Sequence, residues 1–310
     1  MDKGYYPEGC LLQDSRNREY IKDLASLKYA MENEIILEGV AVMCDSYHNL
    51  HVELGQYIGI IPRQEVVFCP DGEQPKDIAI ITRVGKGVSF VVTSIEYQEK
   101  GVKILLSRRL AQKKCFDNYI NSLRCGDVID VVVTHLEKFG VFCDVGCGIA
   151  ALLPVDCISV SRISHPAERF SIGKTIKCVV KNVDKELCRV TLSHKELLGT
   201  WQENADMFEP GETACGIVRS VEDYGIFVEL TPNLAGLAEW CDGVEEGDVA
   251  AVYIKSIIPE KMKIKLVIVG VSDEKMSFAT RECFFDTDHV DVWQYSPEGC
   301  AKQVFTEFRL

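Results

Sequence analysis

The chain has 310 residues, 47% of them apolar and 26% charged, with a formal net charge of −13. That balance describes folded protein rather than a disordered tract, and no run is long and apolar enough to span a bilayer. The start, Met1-Asp2-Lys3-Gly4-Tyr5-Tyr6-Pro7-Glu8, has neither the basic nor the apolar region of a signal peptide, so a cytoplasmic, non-membrane protein of two or three domains is expected.

Residues 1–33 form an N-terminal helical segment: Asp14 or Ser15 can cap it, and Tyr20, Ile21, Leu24, Leu27 and Ala30 recur at helical spacing. Residues 34–107 alternate apolar and polar over short stretches (Ile36 to Met43, Leu50 to Leu54, Val88 to Val92, Val102 to Leu106), with turn residues such as Pro70-Asp71-Gly72 between them. That pattern predicts a small β-barrel. Helical spacing returns over 108–124, through Leu110, Phe116, Ile120 and Leu123. A second barrel is expected over 125–192, and a second linker helix over 193–210, where Ser193 and Glu196 have the spacing of a capping box. A third barrel is expected over 211–270. The tail, 271–310, repeats nothing upstream; it predicts a strand over 289–295, then a helix begun by Ser296-Pro297-Glu298 and lined by Ala301, Val304, Phe305 and Phe308.

Two of these segments are near copies. Lys138-Phe139-Gly140-Val141-Phe142-Cys143-Asp144-Val145 recurs as Asp223-Tyr224-Gly225-Ile226-Phe227-Val228-Glu229-Leu230, with Gly140 and Gly225 85 residues apart. Each copy leads into Ala151-Leu152-Leu153-Pro154 or Gly236-Leu237-Ala238-Glu239, and then to a Gly-Lys or Gly-Asp step at Gly173-Lys174 and Gly247-Asp248. A repeat this long suits a five-stranded barrel used several times. Aromatics beside a glycine on a strand can stand outward as platforms for unstacked bases, with a bulge at Gly140 letting residues three apart face one way. The charge of −13 opposes polyanions at long range, so binding would rest on stacking and local basic faces.

The second repeat closes with Val183-Asp184-Lys185-Glu186-Leu187-Cys188-Arg189-Val190-Thr191-Leu192-Ser193. With these motifs the chain resembles the family of bacterial small-subunit ribosomal protein S-one, a string of OB-type RNA-binding repeats, over roughly residues 34–270. The resemblance implies a mainly β fold of three tandem five-stranded OB-type barrels joined by short α-helices, followed by a small strand-helix C-terminal appendage. It implies an RNA surface made, in the second repeat, of Phe139, Phe142, Pro154, Asp184 and Arg189. In the third repeat Tyr224 and Phe227 keep the rings, Glu239 replaces the proline, Ile258 the aspartate, and Lys263 the arginine, so weaker binding is expected there. In the first repeat His48 and His51 fall at the ring positions, with Gln98 and Lys103 near the polar ones. This repeat is expected to dock to protein rather than RNA.

No P-loop, dinucleotide fingerprint, His-Glu-x-x-His or Gly-x-Ser-x-Gly is present, so neither an enzyme nor a small-molecule substrate is expected. Fourteen cysteines are scattered without a Cys-x-x-Cys pair. His135, Cys143 and Cys147 lack a fourth ligand and the spacing of structural zinc sites, so no metal or cofactor is expected. The expected partners are single-stranded RNA, in particular message, and proteins of the small ribosomal subunit. A free RNA-binding regulator and a protein-interaction scaffold are the alternatives.

Overall fold

The Asp14 side chain accepts the Asn17 amide and the Asp23 side chain accepts the Ser26 amide, so each aspartate starts its own helix. The single helix expected over 14–33 is therefore two, α1 (Ser15–Tyr20) and α2 (Leu24–Glu32). The computed structural model describes residues 4–69, 75–99, 101–272 and 287–308; the turn expected at Pro70-Asp71-Gly72 and residues 273–286 of the tail lie outside them.

Alternating burial then builds three closed five-stranded barrels. The first joins β1 (Leu37–Cys44), β2 (Leu50–Leu54), β3 (Tyr57–Ile61), β4 (Gly87–Gln98) and β5 (Gly101–Ser107), with α3 (Asp77–Ile81) inserted before β4. The second joins β6 (Val128–Glu137), β7 (Gly140–Asp144), β8 (Ala150–Pro154), β9 (Thr175–Asp184) and β10 (Arg189–Ser193). The third joins β11 (Thr213–Glu222), β12 (Gly225–Thr231), β13 (Leu234–Ala238), β14 (Val249–Ile258) and β15 (Lys263–Ser272). In the first and third barrels a parallel pairing closes the third strand onto the fifth. The linkers are α4 (Arg108–Asn118), capped by Ser107, and α5 (Trp201–Ala205). The reciprocal capping box lies at Thr200 and Glu203. Ser193 and Glu196 meet instead through their side chains, beside a short 3-10 turn.

The tail departs from expectation. The Ser296 hydroxyl accepts the Val304 amide at 3.0 Å, and the Ser296 amide donates to the Val304 carbonyl. This serine is thus engaged across a hairpin and caps no helix. β16 (Val292–Gln294) pairs with β17 (Phe305–Glu307) where the appendage helix was expected.

Two compact units emerge. The first comprises Met1–Leu123, Asp144–Ala151 and Val183–Val190; the second comprises Arg124–Cys143, Leu152–Asn182 and Thr191–Leu310.

In the first unit, the core of the first barrel encloses Leu27, Phe90, Ile104 and Leu106. A buried polar cluster ties the N-terminal segment down. Arg108 holds Glu8 with two hydrogen bonds, 2.6 and 3.0 Å, and donates a third to the Val66 carbonyl at 2.9 Å. The Glu8 amide donates to Asp144 at 2.8 Å, and the Gly9 and Leu11 amides donate to Glu38. Gln112 donates to the carbonyls of Cys147 and Gly148.

In the second unit, Glu229 is fully buried between Arg169, which reaches both its oxygens at 2.6 Å, and Arg219, at 2.7 Å. Asn233 accepts the Val160 amide and donates to the Lys195 and Gly199 carbonyls. The second and third barrels therefore share a buried polar seam. The tail crosses both: His289 pairs with Asp127 at 2.7 Å and Phe308 packs with Val128 and Val179, while Trp293 and Tyr295 join the core of the third barrel.

The two units carry opposite proton linkage. In the first, burial pushes Glu38 up from 4.5 to about 7. Its carboxyl stays protonated in the fold where the unfolded chain would ionise it, so that stability is present below pH 4.5 and is lost as pH rises through about 7. In the second, burial lowers His194 from 6.5 to about 4, so stability is present above 6.5 and is lost as pH falls through about 4. All three tryptophans lie in the second unit. Raising the pH from about 5 to about 8 should raise the melting transition seen by tryptophan emission and lower the tryptophan-silent one seen by calorimetry. Parallel shifts would refute the assignment, and Glu38→Gln should weaken the first unit's trend, leaving the part that comes from Asp144, whose carboxyl burial and Glu8 also raise.

Candidate nucleic-acid interface

The paired glycine and aromatics sit at hairpin tips. In the third barrel Glu222 pairs with Gly225, leaving Asp223 and Tyr224 as a two-residue turn. Gly225 has φ of 147°, and a Cβ there would stand 2.5 Å from the Ala238 carbonyl oxygen. Only glycine fits that approach. Tyr224 is thereby thrown outward, 71% exposed, while Phe227 is half-buried. In this barrel the tight turn brings residues three apart together, and the β11–β12 bulge falls between Val218 and Ser220. In the second barrel Lys138 and Phe139 separate β6 from β7 in the same way, and Phe139 is 57% exposed.

The two ring pairs have almost one geometry. Phe139 and Phe142 meet edge to face with centroids 5.9 Å apart and planes at 86°; for Tyr224 and Phe227 the values are 6.1 Å and 85°. Each pair forms an open corner on the barrel surface, which excludes a core role for Phe139 and Tyr224. The Thr134 hydroxyl donates to the Phe142 carbonyl at 3.0 Å, and the Val155 amide to the Phe139 carbonyl at 3.0 Å. The latter bond sets Pro154 beside the Phe139 corner.

The polar residues are less uniform. Asp184 accepts the Glu186 and Leu187 amides at 3.1 and 2.9 Å, so its carboxylate closes the β9–β10 turn. Arg189 is exposed at the start of β10. Both belong to the first unit, whereas Phe139, Phe142 and Pro154 belong to the second. Lys263 is exposed opposite Ile258, and Glu239 pairs with Lys255 at 3.5 Å on the surface.

Trp240 is an addition. It is 53% exposed two residues beyond β13, where the second barrel has Val155. The repeat carries no aromatic there, so nothing in the pattern marks it.

The first barrel presents different chemistry at these places. His51 stands opposite Ile60 as Phe227 stands opposite Leu237, but its ring meets Asp45 at 3.3 Å. Hydrogen bonds from the Asn49 backbone and side chain hold Asp45 down at about 2, where it stays ionised. His48 lies 3.8 Å from Asp77, which also pairs with Arg63. Lys103 pairs with Glu96 at 3.9 Å. These imidazoles are engaged by carboxylates. Of the cysteine cluster, Cys143 and Cys147 are buried, and the described residues hold no group of three or more His, Cys, Asp or Glu placed for a metal.

Tandem closed barrels with outward aromatic corners define a protein built of OB-type domains. Residues 122–195 match the S1 RNA binding domain family. The chain is similar to the small ribosomal subunit protein bS1 homolog of Bacillus cereus, 29% identical over 225 residues covering 69% of this chain and 57% of that protein. The homolog of Bacillus subtilis is 28% identical over 233 residues, 73% of this chain and 59% of that protein. The resemblance to ribosomal protein S-one is thus met by both the domain family and the relatives. The 4-hydroxy-3-methylbut-2-enyl diphosphate reductase of Clostridium acetobutylicum is 32% identical over 203 residues, 63% of this chain and 31% of that protein. The chain spans less than two thirds of the length of each of these relatives.

Proposed function

We propose that the protein is a cytoplasmic, non-enzymatic binder of single-stranded RNA that acts on message at the small ribosomal subunit. The observation that carries this reading is the repeated, solvent-facing ring corner on the second and third barrels. Phe139, Phe142, Tyr224 and Phe227 stack bases, Pro154 flanks the first corner, and Arg189 and Lys263 add positive charge. Asp184 acts by fixing the turn that leads to Arg189. The bS1 relatives support the link to the subunit. The first barrel, whose imidazoles are held by carboxylates, serves protein contact. Co-sedimentation with small subunits, with and without RNase, tests the ribosomal part; release of the protein into the free fraction in both conditions would refute it.

RNA binding itself has a built-in reporter. Trp201 and Trp293 are buried, and Trp240 alone of the three tryptophans is exposed, two residues beyond Ala238, which pairs with Ile226 between the two rings of the third barrel. Adding single-stranded RNA should quench its emission by stacking or close approach of bases. Tyr224→Ala with Phe227→Ala should abolish the quench, and Phe139→Ala with Phe142→Ala should preserve it at saturating RNA. Emission unchanged by RNA that binds by another measure would remove the third barrel from the interface.

A further inference from the structure

On the third barrel, outward residues of four adjacent strands fall into one row. Phe227 on β12 stands opposite Leu237 on β13, Leu237 lies beside Lys265 on β15, and Lys265 faces Ser256 on β14. These side chains are half-buried or exposed, while Ala238, Ile264 and Leu266 between them point into the core. Neighbouring strands lie about 4.8 Å apart, so the Phe227 and Lys265 backbones are separated by roughly 10 Å. A four-carbon lysine stem reaching across Leu237 closes much of that gap.

The other lysines of this face are placed less well. Lys263 is two residues back along β15, about 7 Å down the strand and outside the row. Lys255 is engaged by Glu239 at 3.5 Å. Among the described residues Lys265 has no ion-pair partner. The corresponding place in the second barrel, two residues into β10, is Thr191.

We propose that Lys265 contacts the backbone phosphate of a single-stranded RNA nucleotide whose base stacks on Phe227. The assignment rests on the RNA-binding reading above and deepens it. The third barrel then has a cation outside the motif positions that the resemblance marks, and the weaker binding expected of it from its altered polar positions is offset.

The test is titration of the full chain with oligouridine and oligoadenosine at several salt concentrations, for wild type, Lys265→Gln, Lys265→Arg and Lys263→Gln. One phosphate contact on a single strand contributes about 0.7 to the slope of log affinity against log salt. Lys265→Gln should lower the slope by about that amount and weaken both oligonucleotides alike. Lys265→Arg should restore the slope, because the charge is kept. An unchanged slope and affinity in Lys265→Gln beside a wild type that binds would overturn the assignment alone. A drop confined to Lys263→Gln would do the same. Failure of the wild-type chain to bind either oligonucleotide would overturn the RNA reading and the assignment together.

Discussion

Replacing Phe139 and Phe142 together by alanine should weaken single-stranded RNA binding at least roughly five- to 150-fold, the loss of one stacked base at about 1–3 kcal/mol. The melting temperature should change little, because Phe139 is more than half exposed and Phe142 half-buried. The third-barrel pair, Tyr224 and Phe227, shares the geometry and should lose affinity on the same order. The expectation of a weaker third repeat counted Asp184 as an RNA contact; one of its carboxylate oxygens accepts both turn amides, which gives it a structural role as well. Titration of both double variants against one oligonucleotide, with thermal melts alongside, decides the matter. Unaltered affinity in both at unaltered melting temperature would end the stacking account.

Arg108→Met should be the most damaging single change in the first unit, lowering its stability by about 3–5 kcal/mol. The guanidinium is buried and neutralises Glu8, which is itself buried and also accepts the Ser89 amide. Removing Arg108 leaves that carboxylate only its longer, 3.6 Å pairing with Arg83, beside Asp144, whose own carboxyl is already raised by burial and by Glu8. Glu8→Gln combined with Arg108→Met should recover part of the loss, because the buried carboxylate is removed with its main partner and only the more exposed Arg83 loses an ion pair. Denaturant melts followed by calorimetry and by tryptophan emission would show the loss in the first unit and leave the second in place. A loss below about 1 kcal/mol, the range of surface pairs, would show that Glu8 and Arg108 are not the anchor described. The cluster also bears on truncation: removing residues 1–123 takes Glu8 and Arg108 from residues 144–151, so the first barrel's role is better tested by substitutions in the full chain.

The ring corners were legible because their cause is local. A glycine between two outward aromatics repeats after 85 residues, and the short alternating stretches around it mark the strands. Features set by distant partners were not legible. Glu8 sits in a short segment of Tyr, Pro and Gly with no periodicity, and its partner Arg108 is a hundred residues away. Lys265 joins Phe227 only through the parallel β13–β15 pairing, whereas alignment of the strand starts pointed to Lys263. Ser296 had the composition of a helix cap, yet its hydroxyl is taken by the Val304 amide across a hairpin. Local chemistry permitted either outcome there, and pairing between strands decided it.

The buried seam around Glu229 gives the two ring corners a ruler between them. Because Arg169 and Arg219 clamp one carboxylate from opposite sides of the boundary, an RNA that occupies one corner presents its continuing strand to the other at a set separation. Binding at the second corner is then intramolecular, with an effective concentration governed by how many nucleotides lie between. Oligonucleotides too short to reach would gain only one corner's affinity, and affinity should step upward at the length that first bridges both. Loosening the seam would blur that step into a gradual rise without touching a single ring.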